Sequence, residues 1–491
     1  MDEGNQLNHR TDRDDGALAA ELTAALGSGQ VRSAGLERAL YSRDSSTMEA
    51  EPSLVVLPRD AEEVATAVRI TTGHGRPFVA RGSGTGLAGG AVPLDGAVVI
   101  ATSRMNRLLD VDVTGRLAWV EPGILNLDLS HQVAGYGLHF APDPSSQQVC
   151  SLGGNVANNS GGPHCLAYGV TSAHILAMEV VLPDGSTVML GGTTAEPSGY
   201  DLRGLFVGSE GTLGIATRVA VRLTPNPPVV RTLLLDFDDT DDGAATVSGI
   251  IAAGLVPAAL EMMDRRAVEV VEAFAHAGYP TDAEAVLLVE VDGLGPGVEA
   301  AVETIGAVAR RNSVRTVRVA ADEAERQALW RGRKNAFGAV ARLEPDYYLH
   351  DTVVPRSALT RVLRRVYEIA DHHGLKVINV FHAGDGNLHP ILSYDSRIPG
   401  MTEKVHQAGR EIVEASLDAG GVLSGEHGIG LEKRDYMGLM FSADDLAEQD
   451  RVRSVFDPRR LSNPDKVIPG GSRCSDAGWA AGAAAGEGAW V

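Results

Sequence analysis

Two glycine-rich stretches near the end of the chain carry side chains that could bind a metal ion. Residues 381–389 read FHAGDGNLH, and residues 424–430 read SGEHGIG. His382, His389 and Glu426 offer two imidazoles and one carboxylate, a ligand set that suits a divalent metal with open positions for substrate, and we expect Zn²⁺. The alternative is that the two histidines are simply packed side chains of a tight turn.

The residues around the first stretch predict how its histidines are held. The flanking runs VINVF and ILSY favour strands, whereas the glycines between them oppose a helix. His382 and His389 should therefore flank one turn that joins two strands. In that arrangement they lie close enough to share a ligand.

A third glycine-rich stretch, residues 81–90 (RGSGTGLAGG), follows a short predicted strand. Its GxGxxG pattern suggests a dinucleotide-binding turn, but such a turn must open a helix, and here Pro93 and Gly96 follow. We therefore expect the loop to hold phosphate through successive backbone N–H groups instead. The motif is weak when taken alone.

Five more segments share a richness in Gly, Pro, Ser and Asn that lets backbone approach a large polar ligand. They are residues 121–123, 141–146, 151–155, 158–162 and 208–215.

Composition limits the classes of function. The chain has 491 residues with 43 basic and 64 acidic side chains, a formal net charge of −21. A polyanion would meet a repulsive field, which disfavours nucleic acid and anionic membranes as partners. The 3 cysteines have no CxxC spacing, which argues against a disulfide framework. We find no signal peptide and no apolar run long enough to span a bilayer, so we expect a cytoplasmic protein without a membrane span.

Proline and glycine clusters divide the chain. We expect an N-terminal acidic segment and helix over 1–47, with about the first 15 residues disordered. A first domain over 48–226 and a second over 227–470 meet at the proline cluster of residues 224–228, and 471–491 is a disordered Ala/Gly tail. Beyond the boundary, strand-like and helix-like runs alternate. The predicted fold class is α+β, with helices packed on a sheet.

The glycine-rich segments, in this order, resemble the FAD-binding domain of the vanillyl-alcohol oxidase and p-cresol methylhydroxylase (PCMH) family. HAGDGNLH and GEHGIG, with the strings at 332–337 (GRKNAF), 345–348 (PDYY) and 456–458 (FDP), resemble the C-terminal domain of FAD-linked 2-hydroxyacid dehydrogenases. That group includes D-lactate and D-2-hydroxyglutarate dehydrogenases and the flavin subunit of bacterial glycolate oxidase. The resemblance implies a PCMH-type FAD-binding domain followed by an FAD-oxidase C-terminal domain with an antiparallel, ferredoxin-like sheet covered by helices.

The resemblance implies that these segments hold FAD. Some relatives attach the flavin to a histidine in the first loop, where this chain has Thr85, so we expect non-covalent FAD. The residues implied to contact the cofactor are Arg81, Gly82, Ser83, Gly84, Thr85, Gly86, Pro142, Ser145, Ser146, Gly153, Gly154, Asn155, Asn158, Gly161, Gly162, Gly208, Glu210, Gly211, Gly214, Ile215 and Asn463.

The implied reaction is oxidation of a short 2-hydroxy acid, glycolate or D-lactate, to the 2-oxo acid by hydride transfer to flavin N5. His427 is the expected general base, because histidine has a pKa near neutrality. Arg333 is expected to bind the substrate carboxylate with its forked guanidinium, although a solvated basic turn is the alternative. Electrons would pass to a quinone, or to a second flavin subunit and an iron–sulfur subunit, and the chain could associate with membranes through such partners or form a homodimer.

Four other functions stay open at this point. One is an oxygen-using FAD alcohol oxidase, and another is a catalytically silent FAD-binding protein. D-2-hydroxyglutarate dehydrogenase is a third, disfavoured because Phe337 and Ile391 stand where those enzymes have polar side chains for a second carboxylate. A zinc hydrolase built on His382, His389 and Glu426 would leave the glycine-rich segments unexplained.

Overall fold

The computed structural model describes residues 3–194 and 199–470. The predicted tail at 471–491 lies outside the described residues. The first helix spans Glu3–Leu26 and lies within the segment over 1–47 for which a helix was expected.

The first half of the molecule combines short helices with three small sheets. Its helices are α1 (Glu3–Leu26), α2 (Gly35–Ala39), α3 (Ala61–Gly73), α4 (Asn126–Val133), α5 (Leu152–Asn158), α6 (Cys165–Tyr168) and α7 (Leu202–Phe206). Its strands are β1 (Val31–Arg32), β2 (Leu54–Val56), β3 (Phe78–Arg81), β4 (Val98–Ala101), β5 (Leu108–Asp112), β6 (Leu117–Val120), β7 (Leu138–His139), β8 (Ile175–Val181), β9 (Thr187–Gly191), β10 (Ile215–Arg222) and β11 (Thr224–Pro225).

The second half is built on one large antiparallel sheet. Its helices are α8 (Thr240–Ala252), α9 (Arg265–Ala275), α10 (Gly295–Arg311), α11 (Glu323–Lys334), α12 (Ala336–Val340), α13 (Leu359–His372), α14 (Met401–Asp418), α15 (Met437–Met440) and α16 (Ala443–Phe456). Its strands are β12 (Val229–Phe237), β13 (Ala259–Asp264), β14 (Ala285–Gly293), β15 (Thr316–Val319), β16 (Asp346–Leu349), β17 (Thr352–Val353), β18 (Lys376–His382), β19 (Asn387–Leu388) and β20 (Pro390–Tyr394).

The sheet orders confirm the α+β prediction. In the first half, β1-β2-β4-β3 form one sheet, in which β4 pairs in parallel with both β2 and β3, and β5-β6-β10-β8-β9 form an antiparallel sheet. In the second half, the order β15-β12-β14-β13 with α8 and α10 as crossovers is ferredoxin-like, as expected. The sheet then extends through β18, which pairs with β13, β19 and β20.

The hydrophobic runs of the second half match a sheet that is covered on both faces. Along β12, Leu233 and Leu235 join one buried cluster with α8, α10, α13 and α14, while Leu234 faces a second cluster with α9, α11 and α12. Because side chains alternate along a strand, a continuous run of leucines fits only a strand that is buried on both sides.

The end of the described chain returns to the first half. The N–H of Phe78 donates to the carbonyl of Leu461, and the N–H of Asn463 donates back to the carbonyl of Phe78. The segment thus runs beside β3 and supports the loop that follows it.

Candidate functional site

A cavity of about 380 Å³ lies between the two halves of the molecule. Its walls include the first glycine-rich loop on one side, and on the other Lys334 and Phe337 together with Glu426 and His427. The volume is in the range of cofactor and ligand sites.

The first glycine-rich loop leaves β3 at Arg81 and passes along the cavity without opening an α-helix. The next helical element is a single 3₁₀ turn at Leu94–Gly96, which confirms that this is not a Rossmann turn. A Cβ atom on Gly82 would lie 2.1 Å from the hydroxyl oxygen of Ser151, so a side chain there would displace this hydroxyl, which caps α5. Residues 81–87 of the loop line the cavity, and a glycine-rich backbone of this kind can approach a ligand closely, so the loop fits the pyrophosphate of FAD.

Most of the residues predicted to contact the cofactor line this cavity. They are Arg81, Gly82, Ser83, Gly84, Thr85, Gly86, Ser145, Ser146, Gly153, Gly154, Asn155, Asn158, Glu210, Gly211, Gly214 and Ile215.

The other five lie behind the cavity wall. The Pro142 carbonyl accepts a hydrogen bond from Asn126, and the Asn463 amide donates to the carbonyls of Gly90 and Glu210. Gly161 packs against Glu426, Gly162 packs against the backbone of Asp143, and the N–H of Gly208 donates to Val156. These residues hold the wall in place and do not form its surface.

Glu210 joins the two halves at the cavity. Its carboxylate accepts the N–H groups of Ile429 at 2.6 Å and Gly430 at 2.7 Å. Burial raises the pKa of Glu210 to about 7, in spite of these two hydrogen bonds. A glycine-rich segment of the first half is thereby connected to the GEHGIG stretch of the second.

The predicted metal ligands come together as expected. His382 ends β18 and His389 lies just before β20, so the two histidines flank a turn, and their ring centroids are 5.1 Å apart. The Glu426 Oε1 atom lies 3.2 Å from Nε2 of His382 and 3.5 Å from Nε2 of His389. The same carboxylate oxygen therefore faces both imidazoles.

This set fits a divalent metal. Both ring nitrogens of His389 and the Oε2 atom of Glu426 are buried and have no hydrogen-bond partner among the described residues. Nδ1 of His382 lies 2.8 Å from Oε1 of Glu261, so the ring is held with Nε2 pointing to Glu426. A carboxylate behind a ligating histidine is the usual outer-shell partner at metal sites.

Sequence analysis missed Glu261. It lies opposite His382 in the pairing of β13 with β18, more than a hundred residues away along the chain. Burial raises its pKa, but the nearby His382 and Arg333 more than offset this and hold the pKa of Glu261 below its usual range. Only the register of the sheet reveals this contact.

Asp351 was also missed, although it organises the GEHGIG stretch. Its carboxylate accepts the hydroxyl of Ser424 at 2.6 Å and the backbone N–H of His427 at 2.9 Å, and the Lys433 ammonium lies 3.2 Å away. The N–H groups of Gly425 and Glu426 donate to it as well. Burial raises the pKa of Asp351, yet the charge of Lys433 holds it well below the usual range.

Asp351 also forms a second possible ligand set with His389 and His427. We favour the set of His382, His389 and Glu426, because one oxygen of Glu426 faces both imidazoles, whereas the Asp351 carboxylate is already engaged by Lys433 and by the N–H groups of the GEHGIG stretch.

His427 lines the cavity and stacks on His389, with ring centroids 5.0 Å apart and an interplanar angle of 16°. Burial lowers its pKa to about 4, because the imidazolium form loses its hydration. The imidazole is therefore neutral at pH 7 and able to accept a proton. The lowered pKa makes it a weaker base than the near-neutral value on which the expectation rested, and the general-base role stays a prediction.

Arg333 is fully buried, so the alternative of a solvated basic turn is wrong. Its Nη2 atom lies 2.5 Å from Oε2 of Glu261, and Nε and Nη1 have no hydrogen-bond partner among the described residues. Arg333 is not among the residues that line the cavity, whereas its neighbour Lys334 is. Its role as the carboxylate clamp stays a prediction.

The apolar part of the cavity wall was foreseen only in part. Phe337 lines the cavity with Tyr347 and Leu349, and its ring centroid lies 6.1 Å from that of His389. Ile391 is instead buried in the core behind this wall, so its expected place in the cavity is wrong. In the pairing of β20 with β16, Ile391 lies opposite Leu349, so it packs directly beside a residue of the cavity wall.

Among the described residues, no helix is long and apolar enough to cross a membrane.

Comparison with known proteins agrees with this geometry. A family model described as an FAD binding domain matches residues 52–191, and a model described as the C-terminal domain of FAD linked oxidases matches residues 226–467. The fold is similar to that of p-cresol methylhydroxylase, with a TM-score of 0.80 at 17% identity over 93% of this chain and 97% of that one. The 4-ethylphenol oxidase of Gulosibacter chungangensis has a TM-score of 0.78 at 21% identity, with the same coverage of both chains.

Sequence relatives cover most of the chain. Glycolate oxidase subunit GlcD of Escherichia coli is 45% identical over 88% of this chain and 87% of that protein, and its Bacillus subtilis namesake is 40% identical over 88% and 92%. D-lactate dehydrogenase of Archaeoglobus fulgidus is 33% identical over 85% of this chain and 92% of that protein. With this identity and coverage, and with a cavity that fits FAD between its two halves, the chain belongs to the family of FAD-linked oxidoreductases that join a PCMH-type FAD-binding domain to an FAD-oxidase C-terminal domain.

Proposed function

We propose that this protein oxidises a short 2-hydroxy acid, glycolate or D-lactate, to the corresponding 2-oxo acid with non-covalent FAD as the hydride acceptor. The observation that carries the proposal is the buried set of His382, His389 and Glu426, placed beside His427 at a cavity whose opposite wall fits FAD. The names of relatives at 45% and 33% identity, a glycolate oxidase subunit and a D-lactate dehydrogenase, support the substrate class.

Each group at the cavity has a separate role in the proposed reaction. The reaction removes the hydroxyl proton and the C2 hydride of the substrate. FAD, when bound, accepts the hydride, and a divalent ion held by His382, His389 and Glu426 would supply Lewis-acid stabilisation of the substrate oxygen. The neutral imidazole of His427 accepts the hydroxyl proton. Lys334, which lines the cavity, provides positive charge for the substrate carboxylate, and Arg333, buried behind this wall against Glu261, adds to the positive potential there.

The shape of the cavity favours a short substrate. Phe337, Tyr347 and Leu349 line the wall near His427, and the described lining there offers one cation, Lys334. A second carboxylate at the far end of the substrate would face largely apolar side chains and lose hydration without compensation. This supports glycolate or D-lactate over a 2-hydroxy diacid.

We propose further that the electrons leave through a partner. A four-thiolate iron–sulfur cluster needs more cysteines than the 3 in this chain. The relatives from Escherichia coli and Bacillus subtilis are named as subunits of glycolate oxidase. A quinone, or a further flavin or iron–sulfur subunit, is therefore the expected acceptor.

The test is an anaerobic titration of the purified protein followed in the visible flavin band. Glycolate, D-lactate, L-lactate and D-2-hydroxyglutarate are added one at a time, with and without a chelator. We expect glycolate or D-lactate to bleach the band, and chelation to abolish the bleaching. A flavin that no hydroxy acid bleaches would contradict the proposed function, and stoichiometric hydrogen peroxide in air would favour an oxygen-using oxidase instead.

A further inference from the structure

A half-buried histidine outside the metal set bridges the two halves of the molecule; 21% of its side chain is exposed. Nδ1 of His164 lies 2.9 Å from Oδ2 of Asp143, and Nε2 lies 3.2 Å from Oε1 of Glu290. His164 and Asp143 belong to the first half, whereas Glu290 is on β14 of the second. Asp143, His164 and Glu290 thus form a bridge that joins the two halves through one imidazole ring.

The geometry sets the charge of this ring. An ionised carboxylate only accepts hydrogen bonds, so a ring with a carboxylate oxygen at each nitrogen satisfies both contacts only when both nitrogens carry a proton. Burial lowers the pKa of His164, but Asp143 and Glu290 outweigh burial and raise it to about 10. Burial likewise raises the pKa of Glu290, yet His164 and its other partners lower it to about 2.

Both carboxylates also hold the helix that carries the predicted carboxylate-binding cation. On α11, the indole N–H of Trp330 donates to Oε2 of Glu290 at 2.5 Å. At the end of α11, the ammonium of Lys334 lies 3.1 Å from Oδ2 of Asp143. The bridge therefore fixes α11 at its middle and at its end.

The other end of the bridge reaches the flavin side. Asp143 precedes Pro144, Ser145 and Ser146, which line the cavity, and Lys334 also contacts the side chain of Gln147 at 3.2 Å. A displacement of α11 relative to this segment would move a cation of the substrate wall relative to the cofactor wall.

We propose that His164 is a positioning residue: as an imidazolium bound between Asp143 and Glu290, it fixes α11 against the cofactor segment and so sets the place of Lys334 and Arg333 for the substrate. The kinetic part of this proposal rests on the proposed oxidation of a 2-hydroxy acid. The protonation and bridging part does not.

Other charged or titratable groups surround the bridge, and two of them are cations that pair with its carboxylates. They are Lys334 and Arg326 on α11, His139, and the pair of Tyr168 and Asp292. Arg326 lies 3.3 Å from Oε2 of Glu290, so each carboxylate of the bridge has a second cation besides His164. None of these groups belongs to the proposed metal set.

The first arm of the test measures the protonation state directly. Protein labelled with ¹⁵N-histidine is examined by NMR from pH 6 to pH 9, and the His164 signal is assigned by its loss in His164→Gln. We expect this ring to remain doubly protonated at pH 8.5, and Glu290→Gln to make it titrate at lower pH. A neutral His164 ring at pH 8.5, or a signal unaffected by Glu290→Gln, would overturn the proposal.

The second arm measures positioning in FAD-loaded protein. In His164→Gln we expect kcat/KM for the hydroxy acid to fall by about 10- to 100-fold, mostly through KM, because a small misplacement of binding groups has effects of this size. His174→Gln is the matched control. His174 lies in the first half and is more deeply buried than His164, but its Nε2 contacts only the backbone carbonyl of Tyr168, at 2.9 Å, so the kcat/KM of this variant should stay within about twofold of the original.

The two arms distinguish a failure of the positioning role from a failure of the proposed function. An unchanged kcat/KM in His164→Gln would overturn the positioning role. Should the unaltered protein oxidise no 2-hydroxy acid, the proposed function fails, whereas the NMR arm still decides whether the bridge exists. If His164→Gln does not fold, Glu290→Gln serves both arms, because it removes the charge on the opposite side of the same bridge.

Discussion

Replacing Asp351 by Asn should strongly destabilise the protein while changing its shape very little. Asp351 is fully buried, as is its partner Lys433, whose ammonium lies 3.2 Å from Oδ2. Removing one member of a buried ion pair leaves the other charge uncompensated, which typically costs about 3–5 kcal/mol. The new amide would in addition turn a donor toward the N–H groups of the GEHGIG stretch. We expect the free energy of unfolding in urea to fall by about that amount, together with loss of bound metal and of turnover.

The matched control is Asp264→Asn. Asp264 is equally enclosed and accepts the N–H groups of Ala267 and Asn379, but it has no ion-pair partner among the described residues, and burial raises its pKa. Asn caps a helix about as well as Asp, so we expect a loss of about 1 kcal/mol there. Adding Lys433→Met to Asp351→Asn should recover part of the stability. Equal losses for the two Asn variants, with normal turnover in Asp351→Asn, would refute the reasoning.

Four further predictions follow from the same geometry. His427→Gln should keep its FAD spectrum and bound metal but lose about 10²- to 10⁴-fold in kcat, the usual contribution of a general base, and normal turnover would contradict the assignment. His382→Ala should lose its metal, measured by elemental analysis, and its turnover, yet keep FAD; retained metal would exclude His382 as a ligand. Gly82→Ala should lose FAD during gel filtration because its Cβ would displace the Ser151 hydroxyl at the cavity wall, whereas Gly297→Ala, where no atom lies within 4 Å, should keep it. His164 has a folded-state pKa of about 10 against about 6.5 when unfolded, so its contribution to stability is complete below pH 6.5 and is lost as pH rises toward 10; His164→Gln should flatten that part of the stability profile.

The parts of the site that sequence analysis found are those with local causes. The turn between His382 and His389 requires glycines within a few residues, and Gly386 has a φ of 81°. The loop after β3 needs backbone freedom beside a ligand, which its glycines display directly. The residues of each such motif lie within a few positions of one another, so the motif can be recognised from the sequence without knowledge of the fold.

The parts that it missed depend on contacts between distant segments. Glu261 meets His382 only because β13 pairs with β18, and Asp351 meets the GEHGIG stretch from more than 70 residues away. Ile391 was expected near the substrate from the family resemblance, but it is fully buried in the core next to Leu349 of the cavity wall. The sequence around a single acidic or apolar residue does not indicate which distant residue it will contact.

The sequence by itself determined the chemical inventory of this protein: glycine-rich backbone for a large cofactor, two histidines and a glutamate for a metal, and a histidine suited to accept a proton. The tertiary structure decided the protonation and orientation of these groups. It buried Arg333 against Glu261, lowered the pKa of His427 to about 4 by enclosing it, and placed His164 between two carboxylates from different halves. The physical reason is that hydration, charge pairing and strand register depend on what surrounds a residue in space, which the order of residues along the chain does not state.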